Sequence, residues 1–253
     1  MEIGEKIQFV QKALTQMAPY THPFIASIVG DNVDLERGPH VGSGFRLSAR
    51  RRCIVTAAHV ASEARDTFGR VGVSAARGSP PILIKSTPDL VDEERDLAVF
   101  FVGDDYPAEL IDFWPSTRID HDEAKLSTDF LVVHGFPGVR SRFSALANQL
   151  VNASLPYGVM RRDDDLPRDL QEFQFAMDFN PENFRDPTGR LADWLDPRGL
   201  SGSPVWRIGA SGTRIDEWTP ELSTLVGIIT QWRPDERIIV ATKAQALVDL
   251  LAQ

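Results

Sequence analysis

The chain has 253 residues, of which 42% are hydrophobic and 25% charged, a composition typical of a folded globular protein rather than a disordered one. Its formal net charge of −9 argues against nucleic-acid binding, which needs a basic face to meet the phosphates. A single cysteine excludes an intrachain disulfide, and the charged N-terminal stretch MEIGEKIQFVQKALTQM is neither a signal peptide nor a membrane span. We therefore expect a cytoplasmic protein of bacterial type that binds neither nucleic acid nor membrane.

The chain begins with a predicted amphipathic helix, assigned to residues 1–18. Apolar side chains recur there at steps of three and four, namely Ile3, Ile7, Val10, Leu14 and Met17. This spacing places them along one face of an α-helix. The face can pack on the body of the protein or dock a partner, and both interpretations stay open.

From residue 19 onward the pattern changes to short β-strands separated by clusters of Gly, Pro, Asp and Asn. The predicted strands are PFIASIV, HVGSGFRLS, RRCIVTAAHV, PPILIKS, DLAVFFV, DFLVVHGF, EFQFAMDF, GSPVWRI, LSTLVGIITQW and RIIVATK. About ten short strands with little helix between them favour an antiparallel sandwich or barrel. The closing stretch TKAQALVDLLAQ is predicted to be helical, and residues 103–127 and 158–172 are predicted to be solvated loops.

One histidine and one aspartate form a candidate pair. His59 ends a predicted strand in the small-residue turn VTAAHVA, and Asp96 stands directly before the apolar run LAVFF. A carboxylate at the start of a buried strand needs a hydrogen-bonded partner, because its desolvation is otherwise costly. The N–H of an imidazole is a suitable partner.

The stretch PRGLSGSPVW contains two serines, each preceded by a glycine. Nucleophilic serine chemistry needs a hydroxyl, an imidazole, a carboxylate and backbone N–H groups for the developing oxyanion. We interpret Ser201 as the nucleophile, because Gly199 lets the amides of residues 199 and 201 converge and a side chain there would crowd the substrate. Gly202 lets the chain turn away sharply. Ser203 lacks a glycine two residues earlier, and we expect it to make a local hydrogen bond.

The motifs TAAHV, DLAV and GLSGSP, in the order His, Asp, Ser, resemble those of the trypsin/chymotrypsin superfamily of serine proteases. GSGF, HGFPG and LVGIITQW resemble further strands and turns of that family, and the resemblance covers about residues 20–250. It implies an all-β fold of two six-stranded antiparallel β-barrels with N- and C-terminal helices. The implied peptidase domain is 19–253, with barrels at about 20–125 and 126–240 and the C-terminal helix at 241–252.

The resemblance also implies a role for each motif residue. His59 would be the general base and then the general acid, Asp96 would orient it, and Ser201 would attack the substrate carbonyl. The amides of Gly199 and Ser201 would form the oxyanion hole. Thr230 falls where the family places a serine whose hydroxyl bonds the catalytic carboxylate.

Three residues bear on substrate preference. Leu195 stands where trypsin has its pocket carboxylate, and Asp196 follows it and would favour basic substrate residues if it pointed into the pocket. Trp232 falls at the pocket wall, where a large ring would favour small side chains. The two interpretations conflict, so the preference is left open.

No cluster of His, Cys and carboxylates has metal-ligand spacing, and there is no P-loop or dinucleotide motif, so we expect neither metal nor cofactor. Cys53 is interpreted as a buried strand residue and His134 as part of a turn. The predicted function is a cytoplasmic serine endopeptidase that cleaves a protein or peptide substrate through an acyl-enzyme, under control of a regulatory protein partner. The alternative is a catalytically silent trypsin-like fold that acts as a protein-binding module.

Overall fold

The computed structural model describes residues 3–30, 40–74, 82–103, 106, 112–120, 130–138, 141–144, 149–180, 196–209, 214 and 216–253. Among these residues are three α-helices, α1 (Ile3–Thr21), α2 (Ala58–Phe68) and α3 (Ala244–Leu251). None of the described helices combines the length and apolarity needed to cross a membrane. Helices α1 and α3 confirm the predicted N- and C-terminal helices.

The first sheet is built from the N-terminal half of the chain. Its strands are β1 (Ile25–Gly30), β2 (His40–Ser48), β3 (Arg52–Thr56), β4 (Val71–Ser74), β5 (Ile82–Leu83), β6 (Leu90–Asp92), β7 (Leu97–Phe101) and β8 (Trp114–Pro115). They lie in the order β5-β4-β1-β2-β3-β7-β6, and β8 pairs with β2. All pairs are antiparallel except β2 with β8.

The second sheet is wholly antiparallel and comes from the C-terminal half. Its strands are β9 (Leu131–Gly135), β12 (Leu155–Val159), β13 (Arg161–Arg162), β14 (Gln174–Asp178), β15 (Pro204–Arg207), β16 (Thr224–Arg233) and β17 (Ile238–Lys243). The order is β12-β9-β15-β16-β17-β14-β13, and β10 (Ser141–Ser144) and β11 (Gln149–Asn152) form a separate hairpin. Both curled sheets exceed six strands because short edge strands such as β5, β8 and β13 extend them.

The largest apolar cluster joins the two sheets to each other and to both terminal helices. It contains Phe9 and Met17 of α1, Phe45 of β2, Trp206 of β15 and Leu247 of α3, all buried. Burial of apolar side chains is the dominant stabilising contribution in a folded domain. This shared core therefore holds the two sheets in one fixed arrangement.

Helix α1 packs on the body of the protein, as one of its two interpretations predicts. Phe9, Ala13 and Met17 are buried, and the Phe9 ring meets Trp218 edge-on at 5.6 Å between centroids. Thr21 at the end of α1 is hydrogen-bonded to His134 Nδ1 at 2.7 Å. At Phe9, Ala13 and Met17 the helix is thus covered by its own chain.

Two local predictions were wrong. Residues 58–68 form α2, whereas the sequence was interpreted as strand through residue 60. Trp114, in the stretch predicted to be a solvated loop, is fully buried, and its ring contacts Phe24 at 5.2 Å and Trp206 at 5.9 Å. The acidic residues around Trp114 concealed the apolar contact that its ring makes across the two sheets.

Candidate active site

His59 and Asp96 are in direct contact. His59 lies in the first turn of α2, and its Nδ1 is 2.7 Å from Asp96 Oδ2. The backbone N–H of His59 donates to Asp96 Oδ1 at 2.9 Å. This second bond satisfies one of the free N–H groups at the start of α2, which has no side-chain cap of its own. Asp96 therefore fixes both the ring and the helix that carries it.

The electrostatics of the pair favour a basic imidazole. The hydrogen bond to Asp96 raises the pKa of His59 above its ordinary value of 6.5, burial opposes this, and the charges of Asp96 and Glu63 add to it. The His59 side chain is 47% exposed, so the ring is open to an incoming molecule. The arrangement can accept a proton on Nε2 and stabilise the imidazolium that results.

The backbone at Asp96 is unusual and is held from both sheets. Its φ is 54°, in the left-handed region that aspartate tolerates better than most residues. Its carbonyl accepts the N–H of Ala58 at 3.2 Å, and the neighbouring Arg95 carbonyl accepts Thr242 Oγ1 of β17 at 2.8 Å. The carboxylate is thus directed by the start of β7, the start of α2 and a strand of the second sheet.

The loop 197–203 consists of two consecutive turns. The N–H of Leu200 donates to the Pro197 carbonyl at 2.9 Å, and the N–H of Ser203 donates to the Leu200 carbonyl at 2.8 Å. Gly199 and Gly202 have φ values of 91° and 86°, which glycine adopts without strain. Neither the Gly199 nor the Ser201 amide donates a hydrogen bond to another described residue. Two adjacent free donors of this kind can stabilise an oxyanion.

The structure gives a further reason for glycine at position 199. A Cβ there would lie 2.7 Å from Gly138 N and 2.9 Å from the Phe136 carbonyl oxygen, and 2.7 Å from His40 Nε2. A side chain at 199 would therefore collide with the backbone and the ring that lie against the loop. At Gly202 a Cβ would lie 2.0 Å from the Ser43 carbonyl oxygen.

Gly42 relates Ser201 to the helix that carries His59. A Cβ at Gly42 would lie 2.7 Å from the Val60 side chain and 3.2 Å from the Ser201 carbonyl oxygen. Residue 60 of α2 and residue 201 of the loop 197–203 therefore both lie next to Gly42 of β2. Ser201 is not hydrogen-bonded to His59 here, and such contacts are often loose without substrate.

Comparisons with known proteins agree with this architecture. No protein-family model and no curated protein sequence matches the chain. Among solved structures, the MamO protease domain from Magnetospirillum magneticum is similar with a TM-score of 0.53 and 14% identity, over 90% of this chain and 96% of that one. The active form of the Rv3671c protease from M. tuberculosis is similar with a TM-score of 0.53 and 17% identity, over 94% of this chain and 84% of that one. The serine protease domain of the Sesbania mosaic virus polyprotein is similar with a TM-score of 0.51 and 12% identity, over 90% of this chain and 92% of that one.

The chain has the chymotrypsin-like fold. This agrees with the resemblance in the sequence, which rests on motifs from both sheets.

Within this chymotrypsin-like fold, the predicted hydrogen bond from Thr230 to Asp96 is not formed. Thr230 Oγ1 donates to the Val240 carbonyl at 3.5 Å, and both Asp96 oxygens are taken by His59. The register of β16 against β17 shifts between Ile229 and Gln231, which leaves Thr230 as the extra residue of a bulge. A bulge redirects the side chain it contains.

The residues considered for substrate preference differ in their surroundings. Asp196 is buried and its carboxylate accepts hydrogen bonds from the backbone N–H and the guanidinium of Arg198, which lowers its pKa. Its charge is therefore engaged within the loop. Trp232 is half-buried and packs against the core of the second sheet, with Nε1 buried. Leu195 lies outside the described residues.

Three further predictions concern single side chains. Ser203 is fully buried and makes the predicted local hydrogen bond through its backbone N–H, to the Leu200 carbonyl, whereas its Oγ has no hydrogen-bond partner among the described residues. Cys53 is a buried strand residue, as predicted, and burial raises the pKa of its thiol to about 12. His134 is buried in strand β9 rather than in a turn.

Ser43 is the residue at this site that the sequence interpretation missed. Its Oγ donates to the Gly199 carbonyl at 2.7 Å, and its N–H donates to the Ser201 carbonyl at 2.8 Å. The signal was the serine between two glycines in GSGF, because glycines within a strand mark a close approach of another backbone. In the sequence this motif indicated no more than a strand.

Proposed function

We propose that this protein is a serine endopeptidase in which His59, Asp96 and Ser201 act together. The observation that carries the proposal is the double hydrogen bond between Asp96 and His59, next to a loop whose Gly199 and Ser201 amides are free of described partners. A structural ion pair would explain the first feature but not the second. The fold, which is that of the serine protease domains it resembles, supports the same conclusion.

The proposed chemistry uses these polar groups in sequence. Ser201 Oγ attacks the scissile carbonyl carbon while its proton passes to His59 Nε2, and Asp96 holds the Nδ1 proton and stabilises the imidazolium. The carbonyl oxygen becomes an oxyanion that the amides of residues 199 and 201 stabilise. His59 then gives the proton to the leaving amine, which leaves an acyl-enzyme on Ser201. Water, deprotonated by His59, releases the acid product.

The decisive experiment is covalent labelling with a fluorophosphonate probe. We expect stoichiometric labelling of the folded protein, located by mass spectrometry on Ser201, and loss of labelling in Ser201→Ala. Ser203→Ala is the matched control, because it removes a buried serine two residues away whose Oγ has no described partner. It should label like the wild type.

The same experiment distinguishes the alternative function. If the folded protein is not labelled, with and without a cell extract to supply a partner, the catalytic proposal is overturned. The chymotrypsin-like fold would then serve as a protein-binding module, and Ser201→Ala would keep its full biological effect.

The substrate, the location and the control of the enzyme are part of the proposal. We propose that it acts in the cytoplasm on a protein or peptide and is regulated by a protein partner, with no nucleic acid or membrane involved. The net charge of −9 supports the exclusion of nucleic acid. Profiling of new N-termini in cells that express the wild type or Ser201→Ala identifies the substrates. Vigorous digestion of unfolded proteins by the purified chain alone would contradict partner control.

A further inference from the structure

Ser43 uses all of its polar groups at the candidate site. It lies in the middle of β2 and is fully buried. Its N–H donates to the Ser201 carbonyl at 2.8 Å and its Oγ donates to the Gly199 carbonyl at 2.7 Å. The same Oγ accepts the N–H of Phe136 at 2.9 Å, and its carbonyl accepts Thr56 Oγ1 at 2.7 Å. A buried side chain with this many satisfied bonds holds its neighbours rigidly.

The direction of the two candidate oxyanion donors depends on how their peptide groups are anchored. In a trans peptide the N–H and the C=O point in opposite directions, so anchoring one aims the other. The Arg198 carbonyl is held by the N–H of Gly138 at 2.7 Å, which aims the Gly199 N–H away from residue 138. The Leu200 carbonyl is held by the N–H of Ser203 at 2.8 Å, which aims the Ser201 N–H in the same manner.

The peptide group between those two is the one that Ser43 holds. Its carbonyl, on Gly199, accepts the Ser43 hydroxyl, and its N–H, on Leu200, donates to the Pro197 carbonyl at 2.9 Å. Residue 199 is a glycine at positive φ, so its own backbone preferences restrain this peptide weakly. The angle between the two donors therefore depends on the bonds that hold this peptide, and the Ser43 hydroxyl supplies the one at its carbonyl.

We propose that Ser43 is a positioning residue, whose hydroxyl fixes the Gly199–Leu200 peptide and so keeps the amides of residues 199 and 201 aimed at one oxygen. The effect of Ser43 on catalysis rests on the proposed function, since it requires that the protein is a serine endopeptidase. It concerns the transition state rather than substrate binding, because the oxyanion forms after the substrate is bound.

The kinetic test uses Ser43→Ala with the fluorophosphonate probe. Loss of one oxyanion donor costs about 10²–10³-fold in rate, and a misaimed donor costs less, so we expect the maximal labelling rate to fall about 10- to 100-fold. The probe concentration for half-maximal rate should change less than about threefold, since binding is not affected. The midpoint of the pH profile should not move, because His59 and Asp96 are untouched.

The matched control is Ser223→Ala. Ser223 is also a fully buried serine whose Oγ donates to a backbone carbonyl, that of Pro220 at 2.6 Å. Among the described residues, this turn makes no hydrogen bond to the loop 197–203. It should lose similar stability and label like the wild type. Ser43→Cys keeps the volume with a weaker donor and should show the same kinetic change as Ser43→Ala if the alanine variant folds poorly.

A second readout does not depend on activity. In Ser43→Ala the amide hydrogens of Leu200 and Ser203 should exchange with solvent at least about tenfold faster than in the wild type, and Ser223→Ala should leave them unchanged. Failure of the wild type to label would overturn the proposed function while the exchange rates still decide the role of Ser43. Unchanged labelling and unchanged exchange in both Ser43 variants would overturn the positioning role.

Discussion

Asp96 is joined to His59 twice, through Nδ1 of the ring at 2.7 Å and through the backbone N–H at 2.9 Å. The carboxylate thereby serves as the N-terminal cap of a helix that lies far away along the chain. Because the same side chain fixes the ring and its backbone, the imidazole has little freedom to rotate or to adopt the other tautomer.

Replacement of this carboxylate should abolish most of the activity while the protein stays folded. We expect Asp96→Asn to lower the labelling rate of Ser201 by about 10⁴-fold, because an amide stabilises the wrong tautomer of the imidazole. Asp178→Asn is the control, since it removes a carboxylate that pairs with Arg162 on the second sheet. A loss of less than tenfold in Asp96→Asn would contradict the assigned role of Asp96.

The pH profile of labelling should report the raised pKa of His59. The neutral ring is the active base, so the rate should increase with pH, with a midpoint above 6.5 because the hydrogen bond to Asp96 favours the protonated form. Glu63→Gln should move the midpoint slightly downward at unchanged maximal rate, since the charge of Glu63 also raises this pKa. A midpoint below 6.5 in the wild type would show that the ring is not held as described.

Alanine at position 199 should inactivate the protein, and alanine at a second positive-φ glycine should not. Gly199→Ala combines a left-handed backbone with overlap against Gly138 and Phe136, so the loop must shift and labelling should be lost. Gly69→Ala shares the left-handed backbone, with φ 76°, but nothing lies within 4 Å of its Cβ. It should cost about 1–2 kcal/mol of unfolding free energy and retain activity. Urea unfolding and probe labelling measure the two effects, and normal labelling of Gly199→Ala would refute the argument.

Substrate preference should respond to Trp232 rather than to Asp196. Because the Asp196 carboxylate is engaged by Arg198, we expect Asp196→Asn not to remove a preference for lysine or arginine. Trp232→Ala removes a large ring that packs beside the second sheet and should admit larger side chains. Cleavage of a peptide library compares the two variants with the wild type. A selective loss of cleavage after basic residues in Asp196→Asn would reverse this assignment.

Stability should fall in acid because two buried histidines resist protonation. Burial lowers the pKa of His134 to about 3 and that of His40 to about 4, whereas both titrate near 6.5 in the unfolded chain. Below about pH 6.5 the unfolded state binds protons that the native state does not. Each of the two histidines therefore lowers the unfolding free energy by up to about 1.4 kcal/mol per pH unit. The stability that these neutral rings contribute is present above pH 6.5 and lost as the pH falls toward 4 and 3.

Urea unfolding at pH 7.5 and pH 5 measures this dependence. His134→Gln should reduce the difference between the two pH values, because it removes one of the two groups that take up a proton on unfolding. An unfolding free energy that is equal at both pH values in the wild type would contradict it.

Much of the fold was readable from the sequence because strand patterns are local. The alternation and the flanking turn residues of HVGSGFRLS predicted β2 with the observed bounds, His40–Ser48. Helix α2 was missed because its first residues continue an apolar run from β3, and its cap, Asp96, comes from another part of the chain. Propensity within a short window contains no information about a cap of that kind.

The contact between His59 and Asp96 was predictable from the sequence, because a carboxylate directly before a buried strand needs a hydrogen-bonded partner. The role of Ser201 stays a prediction. The tertiary structure alone decided that Asp96 caps α2, that Thr230 turns toward Val240, and that Ser43 holds Gly199. The first and the third are hydrogen bonds between residues 37 and 156 positions apart, and the second depends on a register shift between two paired strands. Such a bond forms or fails over a few tenths of an ångström, a distance that is set by the packing of the two sheets and has no counterpart in the order of residues.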